Sequence, residues 1–162
     1  MPYEEPSLDV DQKVDGIEFS ATGNITRNWQ ICSGYTLWKS EIVRSDTPPT
    51  IVNGVPFSEI GRELINTPRN SLNLWTTYTW DRLFFGGGPR YVGKRFGNNI
   101  NTRFVDSYVV VDALISYKLT KNIDLRLNMN NIGDKYYIDR IGGGHIIPGA
   151  GRVVLVSSGF SF

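Results

Sequence analysis

The chain has 162 residues, enough for about one domain, and its mean hydropathy is negative at -0.23. Its 17 Lys and Arg residues against 16 Asp and Glu residues give a net charge of +1, so charge provides no basis for binding nucleic acid. The chain has no run of about 18 apolar residues, which excludes a membrane-spanning helix. A transmembrane β-barrel is not excluded, because polar and apolar residues alternate along its strands.

The single cysteine, Cys32, excludes disulfides within the chain and cysteine-rich metal sites. Its neighbours alternate in polarity, and we expect it to be a small buried hydrophobic residue. Residues 1–7 contain neither a basic nor an apolar segment, so they do not form a signal peptide. An exported protein would therefore need its signal elsewhere.

Seven segments alternate between apolar and polar residues with the period of two that is typical of β-strands, and we find no helical periodicity. In chain order, the predicted strands are residues 14–24, 29–43, 69–80, 83–96, 107–119, 123–132 and 152–162. The sixth has the clearest alternation. In the seventh, Val154, Val156, Phe160 and Phe162 share one side.

The connections between these strands alternate between short and long. The short joins are residues 26–28, 81–82 and 120–122, and the long joins are residues 44–68, 97–106 and 137–151. In a transmembrane barrel, short turns lie on the periplasmic side and long loops face outward. The first long join contains Pro48, Pro49, Pro56 and Pro68, which predict a true loop rather than another pair of strands.

The lengths of the predicted strands also favour a barrel. They run for about 10 to 15 residues, longer than the usual 5–6 of soluble sheets and close to the 9–11 of a tilted membrane strand. Seven strands cannot close, since bacterial single-chain barrels use an even number and lipid cannot satisfy a bare backbone edge. The pattern therefore indicates the C-terminal piece of a larger barrel. The aromatic residues near strand ends, expected to form interfacial girdles, are Trp29, Trp80, Tyr108, Tyr117, Tyr136, Tyr137 and Phe162.

Four tracts resemble those of TonB-dependent siderophore receptors. They are "GIEFSATGNITRNWQICSGYTLWKSE" at 16–41, "NTPRNSLNLWTTYTW" at 66–80, "GGGPRYVGKRFGN" at 86–98 and "YVVVDALISYKLTKNIDLRLNMNNIGDKYY" at 108–137. A terminal strand that ends in Phe completes the resemblance, which covers nearly the whole chain from Gly16. One departure is the entry to the last strand, where Pro148 and Arg152 are separated although the family usually has Gly-x-Pro-Arg.

The resemblance implies an all-β fold of about seven antiparallel, up-and-down strands that form the C-terminal part of an outer-membrane barrel of about 22 strands. Residues 1–12 would be the remnant of an extracellular loop or N-terminal tail, and residues 13–162 would be barrel, with the plug domain and signal peptide absent. Such receptors import ferric siderophores across the outer membrane of Gram-negative bacteria, driven by the TonB complex through the plug. We expect a fragment that is inactive alone and is neither an enzyme nor the holder of a cofactor.

The resemblance also places ligand contacts in the long loops. The candidate ligand-binding residues are Tyr136, Tyr137, Arg140, His145, Lys94 and Arg95. His145 has no second ligand at a useful spacing, so an ordinary loop histidine is expected rather than a metal site. The implied partners are a ferric siderophore of the hydroxamate type, the lipid bilayer and the barrel-assembly machinery, which would read Phe160 and Phe162 on the last strand.

Two local motifs have structural interpretations. The run of Gly86, Gly87 and Gly88 lacks the Gly-x-x-x-x-Gly-Lys pattern of a phosphate loop, and we expect these glycines to permit a close approach of backbone or side chains. Residues 130–134, "NNIGD", are expected to end the sixth strand, with side chains that bond to local backbone.

Two alternatives stay open from the sequence alone. The chain could be a small, complete outer-membrane barrel with a structural or adhesive role. It could also be a soluble β-sandwich that acts as a binding module.

Overall fold

The computed structural model describes residues 10–162, and all of their regular elements are β-strands. No helix within that range is long and apolar enough to cross a membrane. Most of the expected tail lies outside the described residues, although the first strand begins at Val10, earlier than predicted. The strands are β1 Val10–Asn24, β2 Trp29–Ser45, β3 Thr50–Val52, β4 Val55–Phe57, β5 Asn70–Trp80, β6 Leu83–Val92, β7 Arg95–Phe96, β8 Phe104–Val105, β9 Tyr108–Lys118, β10 Ile123–Asn130, β11 Ile138–Gly142, β12 His145–Pro148 and β13 Val153–Phe160.

The seven long strands form one antiparallel sheet in the order β1-β2-β5-β6-β9-β10-β13. Each predicted strand corresponds to one strand of this sheet, so the predicted all-β, up-and-down architecture is confirmed. The other six strands make three separate pairs. Over residues 10–162 the fold is therefore one large sheet rather than two packed sheets, which rules out the β-sandwich alternative.

The alternation of short and long connections is confirmed and gives the sheet two different edges. The short-turn edge consists of residues 25–28, 81–82 and 119–122. The first, second and third long loops, at the opposite edge, are residues 46–69, 93–107 and 131–152. The amide of Ser161 donates to the carbonyl of Asn122 over 2.9 Å, which places the last residues at the short-turn edge.

Each long loop contains a small hairpin, so the prediction that the first long loop holds no further pair of strands was wrong. There β3 and β4 pair, with Pro56 opposite Ile51. Proline is tolerated because a strand in an isolated pair has a free outer edge, where no amide donor is needed. Similarly, the predicted fourth strand ends at Val92 as β6, and Arg95–Phe96 form β7, which pairs with β8.

The register of the sheet collects apolar side chains on one face. Residues that are directly opposite on neighbouring strands lie on the same face. One such row runs from Phe19 to Tyr35, Leu72, Tyr91 and Val109, across five strands. Phe19 is 64% exposed, and the apolar band continues through β10 to Phe160 of β13. Soluble monomers rarely expose a contiguous apolar surface that crosses a whole sheet, whereas such a band suits contact with lipid.

Cys32 lies on the opposite, polar face, and the expectation that it is buried was wrong. The side chain is exposed, and the hydroxyl of Thr22 donates to its Sγ over 3.4 Å. The reason is parity: Cys32 shares its face with Gln30 and Thr36 rather than with Ile31.

The glycine run of β6 confirms the close approach expected there. A Cβ on Gly88 would collide with the backbone carbonyl of Leu74 on β5, and a Cβ on Gly86 would lie 3.1 Å from the ring of Trp75. A side chain at either position would therefore push β5 and β6 apart or displace the indole.

Candidate functional site

The six predicted ligand-binding residues all lie at the long-loop edge, and the structure divides them into two groups. Lys94, Tyr136, Arg140 and His145 are exposed, and Tyr136 has 76% of its surface open to solvent. Arg95 and Tyr137, in contrast, are packed against other loop residues.

A cavity of about 330 Å³ opens between the second and third long loops. We call it the loop pocket, and its lining residues are Gly97, Thr102, Arg103, Phe104, Ile141, Gly142, Gly144, His145 and Ile146. It combines the cation of Arg103, the imidazole of His145, an aromatic ring and two isoleucines. Such a surface can take a planar ligand that has apolar rims and negative charge.

Lys94 lies beside the loop pocket. Its Nζ is 3.8 Å from the centre of the Phe104 ring and 5.0 Å from that of Phe96, so the ammonium adds positive charge next to a wall of the pocket. The sequence analysis missed Arg103 and Phe104. Their signal was an adjacent basic and aromatic pair inside a polar loop.

Arg95 is buried, with 3% of its surface exposed, and its contacts are with protein groups. Its Nη2 donates to the carbonyl of Ile138 over 2.5 Å, and its Nη1 donates to the carbonyl of Asp139 and to Oδ1 of Asn66. The guanidinium also lies 5.4 Å from the centre of the Tyr108 ring. Arg95 thus has no open side toward a ligand and joins all three long loops instead.

Tyr108 and Tyr137 stack on each other, with ring centres 4.3 Å apart. Tyr108 is buried on the polar-face parity of β9, and its hydroxyl accepts from Nη1 of Arg90 and donates to Oδ1 of Asp139. Gly149 lies so close to the Tyr137 ring that a Cβ would overlap it. These two tyrosines therefore anchor the third long loop to the polar face of the sheet, and their assignment to an interfacial girdle was wrong.

The first and second long loops are joined through Glu59. Its carboxylate accepts hydrogen bonds from the Ser45 hydroxyl and, over 2.7 Å, from the Asn99 amide. The hydrogen bond from Ser45, followed by that from Asn99, outweighs burial and lowers the pKa of Glu59 below its ordinary 4.5. The hydrogen bonds of the ionised Glu59 carboxylate therefore contribute their full stability to the fold above pH 4.5. This contribution is lost as the pH falls through the lowered pKa of Glu59.

The "NNIGD" motif ends β10 and bonds to local backbone, as predicted, and it also closes the base of the third long loop. Buried Asn131 donates to the carbonyls of Lys135 and Ala150 over 2.9 and 3.0 Å, and it accepts from the Lys135 amide. The Arg152 amide donates to Oδ1 of Asp134 over 2.8 Å. The beginning and the end of the loop are thereby held together.

Comparison with known proteins identifies the architecture. The family model "TonB dependent receptor-like, beta-barrel" matches residues 8–132, more than half of the chain. The chain belongs to the TonB-dependent receptor family.

Two of the similar proteins are described as siderophore receptors. The chain is 35% identical to the probable TonB-dependent siderophore receptor PiuA of Acinetobacter baumannii, over 94% of this chain and 21% of that protein. It is 33% identical to the catecholate siderophore receptor Fiu of Escherichia coli K12, over 93% of this chain and 20% of that protein. The crystal structure of PiuA aligns with a TM-score of 0.82 over 93% of this chain and 22% of its own. This TonB-dependent receptor chain thus spans about a fifth of the length of these relatives.

Proposed function

We propose that residues 13–162 form the C-terminal barrel part of an outer-membrane receptor that takes up ferric siderophores in a TonB-dependent manner. The observation that carries the proposal is the alignment of 93% of this chain with the crystal structure of PiuA at 35% identity. In this proposal the apolar face contacts the lipid of a Gram-negative outer membrane and the long loops lie outside the cell. The TonB complex acts through a plug domain supplied by residues outside this chain, and the chain alone does not transport.

The loop pocket is the proposed ligand contact of this chain. Arg103, Phe104 and His145 line the pocket, and Lys94 lies beside it. Tyr136 and Arg140 are exposed on the third long loop, Tyr136 before its hairpin and Arg140 within β11. Catecholate oxygens leave a ferric complex with a net negative charge, whereas hydroxamates leave it neutral. The basic pocket and the similarity to Fiu, a catecholate receptor by name, favour an anionic catecholate complex over the hydroxamate type expected from the sequence.

A chimera tests this function. In the Fiu chimera, the present chain replaces the matching fifth of E. coli Fiu, and the host strain lacks its own Fiu. We expect a heat-modifiable barrel in the outer membrane that binds a ferric catecholate and supports its TonB-dependent uptake. A folded chimera that binds no ferric catecholate would contradict the proposal, and preference for a ferric hydroxamate would contradict the assigned ligand class.

Replacement of residues 137–151 by a short Gly-Ser loop tests the contribution of the pocket. The replacement removes one wall of the loop pocket but none of the seven strands, so we expect affinity for the ferric catecholate to fall by about tenfold or more. The amount of heat-modifiable barrel should stay unchanged. Equilibrium binding of labelled ferric siderophore measures the effect, and unaltered affinity would refute the role of this loop.

A further inference from the structure

We infer that Arg95 is a positioning residue that sets the spacing between the two walls of the loop pocket. The effect on siderophore binding rests on the proposed function, whereas the effect on loop structure does not. Arg95 was predicted to contact ligand, but its burial and its bonds to backbone assign it a different task.

Arg95 stands directly behind both walls of the loop pocket. Along its own chain it precedes Gly97 of one wall by two residues. Its guanidinium donates to the carbonyls of Ile138 and Asp139, at the start of β11, and this strand leads to Ile141 of the other wall. A single side chain therefore fixes how far the third loop stands from the second.

The two walls also touch directly, at Gly97 and Ile141. A Cβ on Gly97 would lie 2.5 Å from Cγ1 of Ile141, whose side chain is only 5% exposed. The hydrogen bonds of Arg95 hold the third loop close to the second, and the contact between Gly97 and Ile141 sets the shortest distance between the two walls. Any larger side chain at position 97 would act as a wedge.

Asn66 of the first long loop completes the arrangement. Its φ of 55° is in the left-handed region, which asparagine tolerates. Its backbone amide donates to the Phe96 carbonyl over 2.8 Å. Its side-chain Oδ1 accepts from the backbone amide of Ile141 over 3.4 Å and from Nη1 of Arg95. The third partner of the guanidinium thus itself bridges the second and third loops. We call Arg95, Asn66 and the Ile138–Asp139 carbonyls the loop clasp.

The geometry of the clasp requires arginine rather than any cation. Two nitrogens of one planar group donate to two successive carbonyls, and the group lies against the Tyr108 ring. Lysine offers a single point charge on a flexible stem and cannot reproduce this fork. Substitution by lysine therefore keeps the charge and removes the clasp.

Hydrogen exchange in the Fiu chimera, purified in detergent micelles, tests the clasp without any siderophore. In Arg95→Met and Arg95→Lys we expect the amides of residues 138–148 to exchange about tenfold faster or more, because charge-assisted hydrogen bonds are lost. The amides of β9 and β10 should keep their wild-type rates. Gly97→Ala should accelerate the same hairpin while Arg95 stays in place. Arg27→Met, which removes an exposed guanidinium at the short-turn edge, is the matched control and should change neither region.

Wild-type exchange of residues 138–148 in both Arg95 variants would overturn the inference. So would an equal acceleration of the whole sheet, because Arg95 would then support the fold in general. In the Fiu chimera, Arg95→Lys should weaken binding of a ferric catecholate about tenfold with an unchanged amount of folded barrel. If the unsubstituted chimera binds nothing, the proposed function fails, while hydrogen exchange still decides the clasp.

Discussion

At the scale of single residues, neighbours of the same chemical type have different tasks. Lys94 and Arg95 are adjacent cations in one loop, and sequence reasoning assigned both to ligand binding. Only the packing of three distant loops buries the guanidinium, whose carbonyl partners are more than 40 residues away. Such burial leaves no local pattern. The glycines of β6 were predictable, because a glycine run within a strand has few explanations other than close approach.

Substitution of one of these glycines gives a direct test at this scale. In Gly88→Ala, the new methyl group collides with the Leu74 carbonyl, and we expect a loss of about 1–3 kcal/mol in the free energy of unfolding, as for overpacking. Gly34→Ala is the matched control on the same face of the sheet, since no atom lies within 4 Å of its added Cβ. Urea unfolding of the Fiu chimera in lipid vesicles measures both. Equal stabilities would show that β5 and β6 are not as close as described.

At the scale of elements, length decided which strands could be predicted. The seven strands of the large sheet have 8 to 17 residues, enough for the period of two to be visible. The strands of the three loop hairpins have two to five residues, too few for any period. Their turns did carry a signal: Asn53-Gly54 and Gly143-Gly144 both have positive φ, as two-residue hairpin turns require. These two dipeptides therefore indicate the positions of two of the hairpins in the sequence.

The last strand allows a prediction about assembly. Phe162 is fully exposed, so its deletion removes no packing within the chain, whereas an exposed apolar strand end can be read by an assembly factor through β-augmentation. We expect deletion of Phe162 from the Fiu chimera to lower the amount of heat-modifiable barrel in outer membranes severalfold. Ser161→Ala is the control, with Phe160 and Phe162 in place. Wild-type barrel levels after the deletion would refute the assembly role.

At the scale of the whole molecule, the sheet has one apolar face and one polar face, which we propose to meet lipid and the barrel interior. The alternation of polar and apolar residues predicted the two faces, and the register of strand pairing continues each face across all seven strands. The sequence also predicted the family, because the resemblance rests on short motifs that are visible without the fold. One of them is "NNIGD", which ends a strand and begins a loop. The sequence could not place the loop pocket, since its walls come from two loops that only the fold brings together. The proposed ligand class rests on relatives and on the charge of that pocket.

The position of the tryptophans relative to lipid tests the central claim that the apolar face of this sheet meets the membrane. Trp29 and Trp80 lie on the apolar face, and Trp75 lies on the polar face over Gly86. Variants of the Fiu chimera that keep only one tryptophan, in vesicles of lipids brominated on their acyl chains, report contact of that tryptophan with lipid through fluorescence quenching. We expect strong quenching of Trp29 and Trp80 and little quenching of Trp75. Quenching of Trp75 as strong as that of Trp80 would contradict a membrane barrel with this orientation.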